Sequence, residues 1–105
     1  MKIIENNNIN DLIDKKCFKL FYFTATWCGP CKKIKSSVLK LSEGLDESKI
    51  IFYQVDIDNN DELSNKYEIR SVPSFVLLDN INNEIDRCSG SNIKTLGELL
   101  KKNLK

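Results

Sequence analysis

One junction constrains this sequence more than any other feature. Phe18 to Ala25 (FKLFYFTA) is a nearly continuous apolar and aromatic run, and it leads into Trp27-Cys28-Gly29-Pro30-Cys31 and then into an amphipathic segment. The run has the pattern of a central strand covered on both faces. Beyond the cysteines, Ile34, Val38, Leu41 and Leu45 fall 4, 3 and 4 residues apart, on one stripe of a helix whose other faces carry Lys32, Lys33, Lys35, Lys40 and Glu43. A buried strand passing into a helix through C-x-x-C sets Cys28 beside that helix's unpaired N–H groups and positive end. A thiolate is favoured there, its pKa drawn from about 8.5 toward neutrality, and Lys32 adds positive potential nearby. Cys31 shares the face of the first turn and reaches Cys28 to close a small disulfide.

This arrangement suits reversible thiol–disulfide exchange. Cys28 attacks a partner disulfide to give a mixed disulfide, and Cys31 resolves it, leaving the partner reduced and this chain oxidised. Gly29 permits the tight approach, Pro30 stiffens the turn while fitting the first helical position, and Trp27 shields one side of the sulfur pair.

Composition removes most competing chemistries. The chain has no histidine, so imidazole is unavailable as base, acid or metal ligand. Four cysteines in 105 residues are too few for a disulfide-stapled scaffold. A zinc site needs four ligands, and neither a second C-x-x-C nor a histidine is present to supply them. Sixteen basic against fifteen acidic residues give a net charge of +1, which argues against a nucleic-acid binder. No apolar run approaches the roughly 18 residues that cross a bilayer, and the polar start breaks up any signal-peptide core, so no membrane association and no export signal are expected. The length fits one domain, residues 1–105.

Along the chain, the spacing predicts a short edge strand over Lys2–Glu5, a turn at Asn6-Asn7-Asn8 and a first helix from near Asn8 to Lys16. Ile50–Ile57 reads as another interior strand, followed by a short helix around Asp61–Tyr67 with Leu63 and Tyr67 facing inward. Pro73 opens a strand over Ser74–Leu78, which pairs antiparallel with Glu84–Cys88 through a turn at Asp79–Asn83. Ile93, Leu96, Leu99, Leu100 and Leu104 define a last helix capped by Ser91 or Asn92. Cys17 and Cys88 read as small buried or incidental thiols. Asp58 reads as a helix-capping residue.

Trp27-Cys28-Gly29-Pro30-Cys31 with the preceding Thr24-Ala25-Thr26, the later Val55-Asp56-Ile57-Asp58, Val72-Pro73-Ser74-Phe75 and Ser89-Gly90 resembles the thioredoxin family, in order and spacing, over nearly the whole chain. The resemblance implies an α/β thioredoxin fold, a central mixed five-stranded sheet with a four-stranded core, flanked by four α-helices. It implies that Pro73 is cis and faces the cysteines, that Trp27, Val72 and Pro73 bind an extended substrate segment, that Gly90 leaves room for it, and that Asp58 positions Trp27. It places Cys88 near that substrate groove. It further implies no bound cofactor, electrons from NADPH through a thioredoxin reductase, clients such as peroxiredoxins or reductases, a monomer, and a cytoplasmic location, or an organellar one if a leader has been removed.

Three positions depart from the family pattern. Tyr22 stands where the family usually has a buried Asp, Gln54 where some members pair a Lys with that Asp, and Ser36 where a proline commonly kinks the helix. In the family the buried Asp is thought to assist proton movement at the second cysteine. A phenol with pKa near 10 stays neutral and only hydrogen-bonds, so resolution by Cys31 is expected to be slower or displaced to higher pH. Without a proline at position 36 the helix should be straighter. Two other functions fit the same residues: a disulfide oxidase or isomerase, and a client-binding module with secondary turnover. The C-G-P-C centre resembles reducing members and favours a reductase.

Overall fold

A computed structural model describes residues 1–13 and 15–104, with Ile13 described by its backbone alone. In chain order the elements are β1 (Lys2–Ile4), α1 (Asn10–Ile13), β2 (Phe18–Thr24), α2 (Gly29–Glu43), β3 (Ile50–Asp56), α3 (Asp61–Lys66), β4 (Ser74–Leu78), β5 (Glu84–Ser89) and α4 (Ile93–Asn103). They form a five-stranded mixed sheet in the order β1-β3-β2-β4-β5. β1, β3 and β2 run parallel, whereas β4 is antiparallel to both β2 and β5. The five strands and four helices agree with the sequence expectation. The first helix is a single turn, shorter than its apolar spacing suggested, and position 14 of that expected helix lies outside the described residues.

The period-two alternation of β2 divides the core into two layers. Leu20 and Tyr22 point to the side of α2 and α4, where they pack with Ile34, Val38, Phe75 and Leu96. Phe21 and Phe23 point to the opposite side and pack with Leu12, Tyr53, Val55 and Leu63. Tyr22 also stacks on Phe75, its partner across the β2–β4 ladder, with ring centroids 5.3 Å apart and planes 13° from parallel. Such a pair adds about 0.5–1.5 kcal/mol beyond the area it buries. α2 runs without a break from Gly29 to Glu43, through Ser36.

Two buried polar residues hold this frame. Asn6 and Asn7 both adopt positive φ, 53° and 59°, which asparagine tolerates better than most residues. The reversal brings the Asn7 N–H to Asn60 Oδ1 at 2.8 Å, while Asn60 Nδ2 donates to the carbonyls of Ile4 and Asp56, both at 2.9 Å. Fully buried Asn60 therefore pins β1 to the end of β3 rather than capping α3 with its side chain. Lys19, on the central strand β2 and also fully buried, donates to the Lys15 carbonyl, with the Asn80 carbonyl at 3.5 Å. Desolvation pushes its ammonium below the ordinary lysine value.

The topology collects four chain segments at one end of the sheet. β2 and β3 are parallel and in register from Phe18↔Ile50 to Thr24↔Asp56, so the residues that follow each strand emerge side by side. β4 runs the other way, with Ser74 opposite Phe23, so the residues preceding it arrive at the same end. β5 ends there as well, at Ser89 opposite Ser74. The C-x-x-C pair, Asp58, Val72-Pro73 and Gly90 converge through this register.

Candidate functional site

A turn closed by Cys28 N–H donating to the Ala25 carbonyl, 3.2 Å, carries the chain from β2 into α2. Cys28 is the N-cap of α2, in extended conformation at φ −87° and ψ 109°. Its sulfur occupies the place a serine or aspartate oxygen usually takes and accepts the Cys31 N–H at 3.1 Å. The first turn of α2 contains no acidic residue to offset the positive end of the helix. Gly29 is the first helical residue and Pro30 the second, one place later than the sequence suggested. Proline costs nothing there, because the N–H it lacks has no partner within the helix in any case.

Cys28 and Cys31 are joined as a disulfide, with Cα atoms 5.2 Å apart. Both are buried, Cys28 at 4% and Cys31 at 1% exposure. Ala25, Ile57 and Val72 pack around them. The Val72–Pro73 peptide bond is cis, and the Val72 carbonyl oxygen lies 3.5 Å from Cys28 Sγ. Gly90 donates its N–H to the Pro73 carbonyl at 3.0 Å and has φ +98°, a region that side chains oppose. A Cβ on Gly90 would project into open space beside the cis bond. A Cβ on Gly29 would likewise meet nothing within 4 Å, so no atom of the described residues requires glycine at that position.

Trp27 is 66% exposed, yet its indole is held: Nε1 donates to Asp58 Oδ2 at 3.0 Å. Asp58 does not cap α3, whose N-cap is Asn60. Asp58 bonds to the tryptophan because β2 and β3 end level with each other. Trp27, Ile57, Ile69, Arg70, Ser71 and Val72 line a cavity of about 250 Å³ beside the cysteines. Ile57, Ile69 and Arg70 carried no signal in the sequence that marked them for this surface.

Tyr22, fully buried, donates its hydroxyl to the Cys31 carbonyl at 3.0 Å. Burial raises the phenol above its ordinary value, with a side-chain hydrogen bond from Thr24 opposing that shift, so the group stays protonated across the physiological range. Gln54 lies opposite Tyr22 on β3. It faces a second cavity, of about 320 Å³, which it shares with Thr24, Ala25, Cys31, Lys35 and Asp56. Lys35 and Asp56 are residues whose placement beside Cys31 the sequence did not reveal.

Of the two free cysteines, Cys17 is buried and Cys88 half-buried. Burial, reinforced by the Asp86 charge, pushes the Cys88 thiol up to about 11, which removes nearly all thiolate at neutral pH. Cys88 pairs with Phe75 across the β4–β5 ladder and packs against the core. Among the described residues no helix is long and apolar enough to cross a membrane.

The geometry now has counterparts. The thioredoxin family profile matches residues 1–102. Thioredoxin of Ictalurus punctatus is 40% identical over 74 residues, 70% of this chain and 68% of that protein. The crystal structure of Fasciola hepatica thioredoxin is similar at a TM-score of 0.87 and 32% identity, covering 100% of both chains. A structure described for the thiol-resolving mechanism of yeast mitochondrial 1-Cys peroxiredoxin via glutathione/thioredoxin systems is similar at a TM-score of 0.82 and 25% identity, covering 97% of this chain and 94% of that one. With a C-x-x-C disulfide at the start of α2, a cis Val72–Pro73 bond against it and these matches over the whole fold, the chain belongs to the thioredoxin family of dithiol–disulfide oxidoreductases, with protein-disulfide reductase activity.

Proposed function

We propose that Cys28 is the attacking nucleophile and Cys31 the resolving thiol. The observation that carries this is the Cys28 sulfur acting as N-cap of α2, with the Cys31 N–H aimed at it from 3.1 Å. A thiolate at that place gains a charge-assisted hydrogen bond and the helix field, both of which lower its pKa. In the reaction, Cys28 thiolate attacks one sulfur of a partner disulfide and displaces the other as a thiolate. Cys31 then attacks Cys28 Sγ, the bond to the partner breaks, and the partner leaves with both sulfurs reduced.

The surroundings support the remaining roles. Trp27, Val72 and the cis Pro73 form the floor on which an extended partner segment lies, with the Val72 carbonyl 3.5 Å from the Cys28 sulfur. Gly90 keeps that surface open, and Asp58 fixes the tryptophan that borders it. Gly29 and Pro30 hold the turn between the two cysteines. Tyr22 supports the site through the Cys31 carbonyl and takes no proton.

Electrons come from NADPH through a thioredoxin reductase, with no cofactor held by this chain. Clients are disulfide-bearing proteins, peroxiredoxins and reductases among them, met as a monomer in the cytoplasm. The likeness to a structure studied with a peroxiredoxin supports that client class.

A coupled assay tests direction and donor together. With NADPH, a thioredoxin reductase and a model protein disulfide, the chain should drive NADPH oxidation that depends on all three components. NADPH consumption that is unaffected by leaving out this chain refutes the proposed electron route.

A further inference from the structure

Resting on the assignment of Cys31 as resolving thiol, we propose that Asp56 accepts the Cys31 proton during resolution, across the cavity these two residues share with Lys35 and Gln54. Cys31 is 1% exposed, so its proton needs a route out of the protein. Tyr22 offers none, because its hydroxyl is committed to the Cys31 carbonyl.

The register explains why Asp56 is placed to serve. Tyr22 is paired with Gln54 and Thr24 with Asp56, so these four side chains leave the sheet on the α2 side. Cys31 and Lys35 stand one turn apart on α2 and border the same space. Asp56 Oδ1 accepts the Asp58 N–H at 2.9 Å, and Oδ2 has no hydrogen-bond partner among the described residues. The cavity, about 320 Å³, is large enough for a chain of water molecules between the thiol and that oxygen.

In the mixed disulfide, the Cys31 S–H proton passes through water to Asp56, and the sulfur lone pair attacks Cys28 Sγ. The Cys28–Cys31 bond forms, the bond from Cys28 to the partner breaks, and its electron pair leaves on the partner thiolate, which takes a proton from solvent. Asp56 returns its proton to solvent at the cavity mouth. Groups facing Cys31 are Lys32 and Lys35 from α2, Asp56 from β3, and Tyr22 and Thr24 from β2, with Asp58 held away on Trp27.

The test uses an aromatic disulfide reagent at equimolar ratio, which releases one coloured thiol when Cys28 attacks and a second when Cys31 resolves. Asp56→Asn should slow the second release about tenfold near pH 6, leave the first release unchanged, and lose the difference as pH rises toward about 9, where hydroxide takes the proton directly. Asp56→Glu, which keeps the carboxylate, should restore the second release to within about threefold of wild type. A second release with the same pH profile in Asp56→Asn and wild type overturns the proposal. So does equal slowing at every pH, which marks a structural effect. Release of a second thiol by Cys31→Ser instead removes the assignment of Cys31 on which the proposal rests.

Discussion

Replacing Cys31 with serine should leave Cys28 tied to its client in a mixed disulfide that persists for as long as no other thiol is added. Replacing Cys28 with serine should abolish disulfide reduction, by at least about three orders of magnitude, because a hydroxyl of far higher pKa takes the place of the thiolate. The two outcomes differ because the two sulfurs occupy different places. Cys28 sits outside the helix as its cap, and Cys31 lies inside the first turn. Mass spectrometry of the variants after mixing with a protein disulfide reads both results directly: a covalent adduct for Cys31→Ser and none for Cys28→Ser. An adduct on the Cys28→Ser variant through Cys31 reverses the assigned roles.

Tyr22→Asp should have the next largest effect, on stability and on pH dependence together. The substitution removes a fully buried ring that stacks on Phe75 and donates to the Cys31 carbonyl. Losing a large core side chain costs about 3–5 kcal/mol, within the margin of about 5–15 kcal/mol that domains of this size possess. Desolvation raises the folded-state pKa of the new carboxyl above its unfolded value of about 3.9. The folded state then binds the proton more tightly, so stability is greatest below about pH 4 and falls as pH rises through the folded-state pKa. Chemical denaturation of the variant from pH 4 to pH 8 should therefore show its midpoint falling more steeply than that of wild type. In single-turnover assays the resolving step should move to lower pH by about one unit, since a group able to take a proton now lies under Cys31. Tyr22→Phe is the control: it removes one hydrogen bond, costs about 1 kcal/mol, and leaves the pH profile alone because the phenol never ionises in the working range. An unchanged pH profile in Tyr22→Asp means that position 22 has no bearing on proton movement in this chain.

How much of this could be read in the sequence depends on the range of the interaction. The strands β2, β3 and β4 and the helices α2 and α4 follow from apolar spacing and β-branched runs, both of them local signals. The Asn6-Asn7 turn is local as well, and the two left-handed residues occur where asparagines allow them. The role of Asp58 was not readable, because capping of α3 and bonding to Trp27 demand the same carboxylate, and only the level ends of β2 and β3 decide between them. Nor was the bridging role of Asn60 readable, because its amide spans β1 and β3, a contact between residues 56 apart in sequence. Lys19 sits in a run that reads as apolar; its burial depends on carbonyls contributed by Lys15 and Asn80. Lys35 belonged to a charged helix face, and Asp56 to a motif without a role. Their meeting beside Cys31 follows from the distance between α2 and β3, which no spacing rule encodes.

A Cys28–Cys31 pair capping α2 works as a reductant although the family's buried carboxylate is replaced by Tyr22. Its reduction potential, measured by equilibration in graded thiol buffers, tests this most directly, since about 30 mV changes the equilibrium tenfold for a two-electron couple. A value within about 30 mV of the −270 mV typical of thioredoxins is the expected result. A value displaced to about −180 mV or above, where isomerases and oxidases of protein disulfides lie, contradicts it.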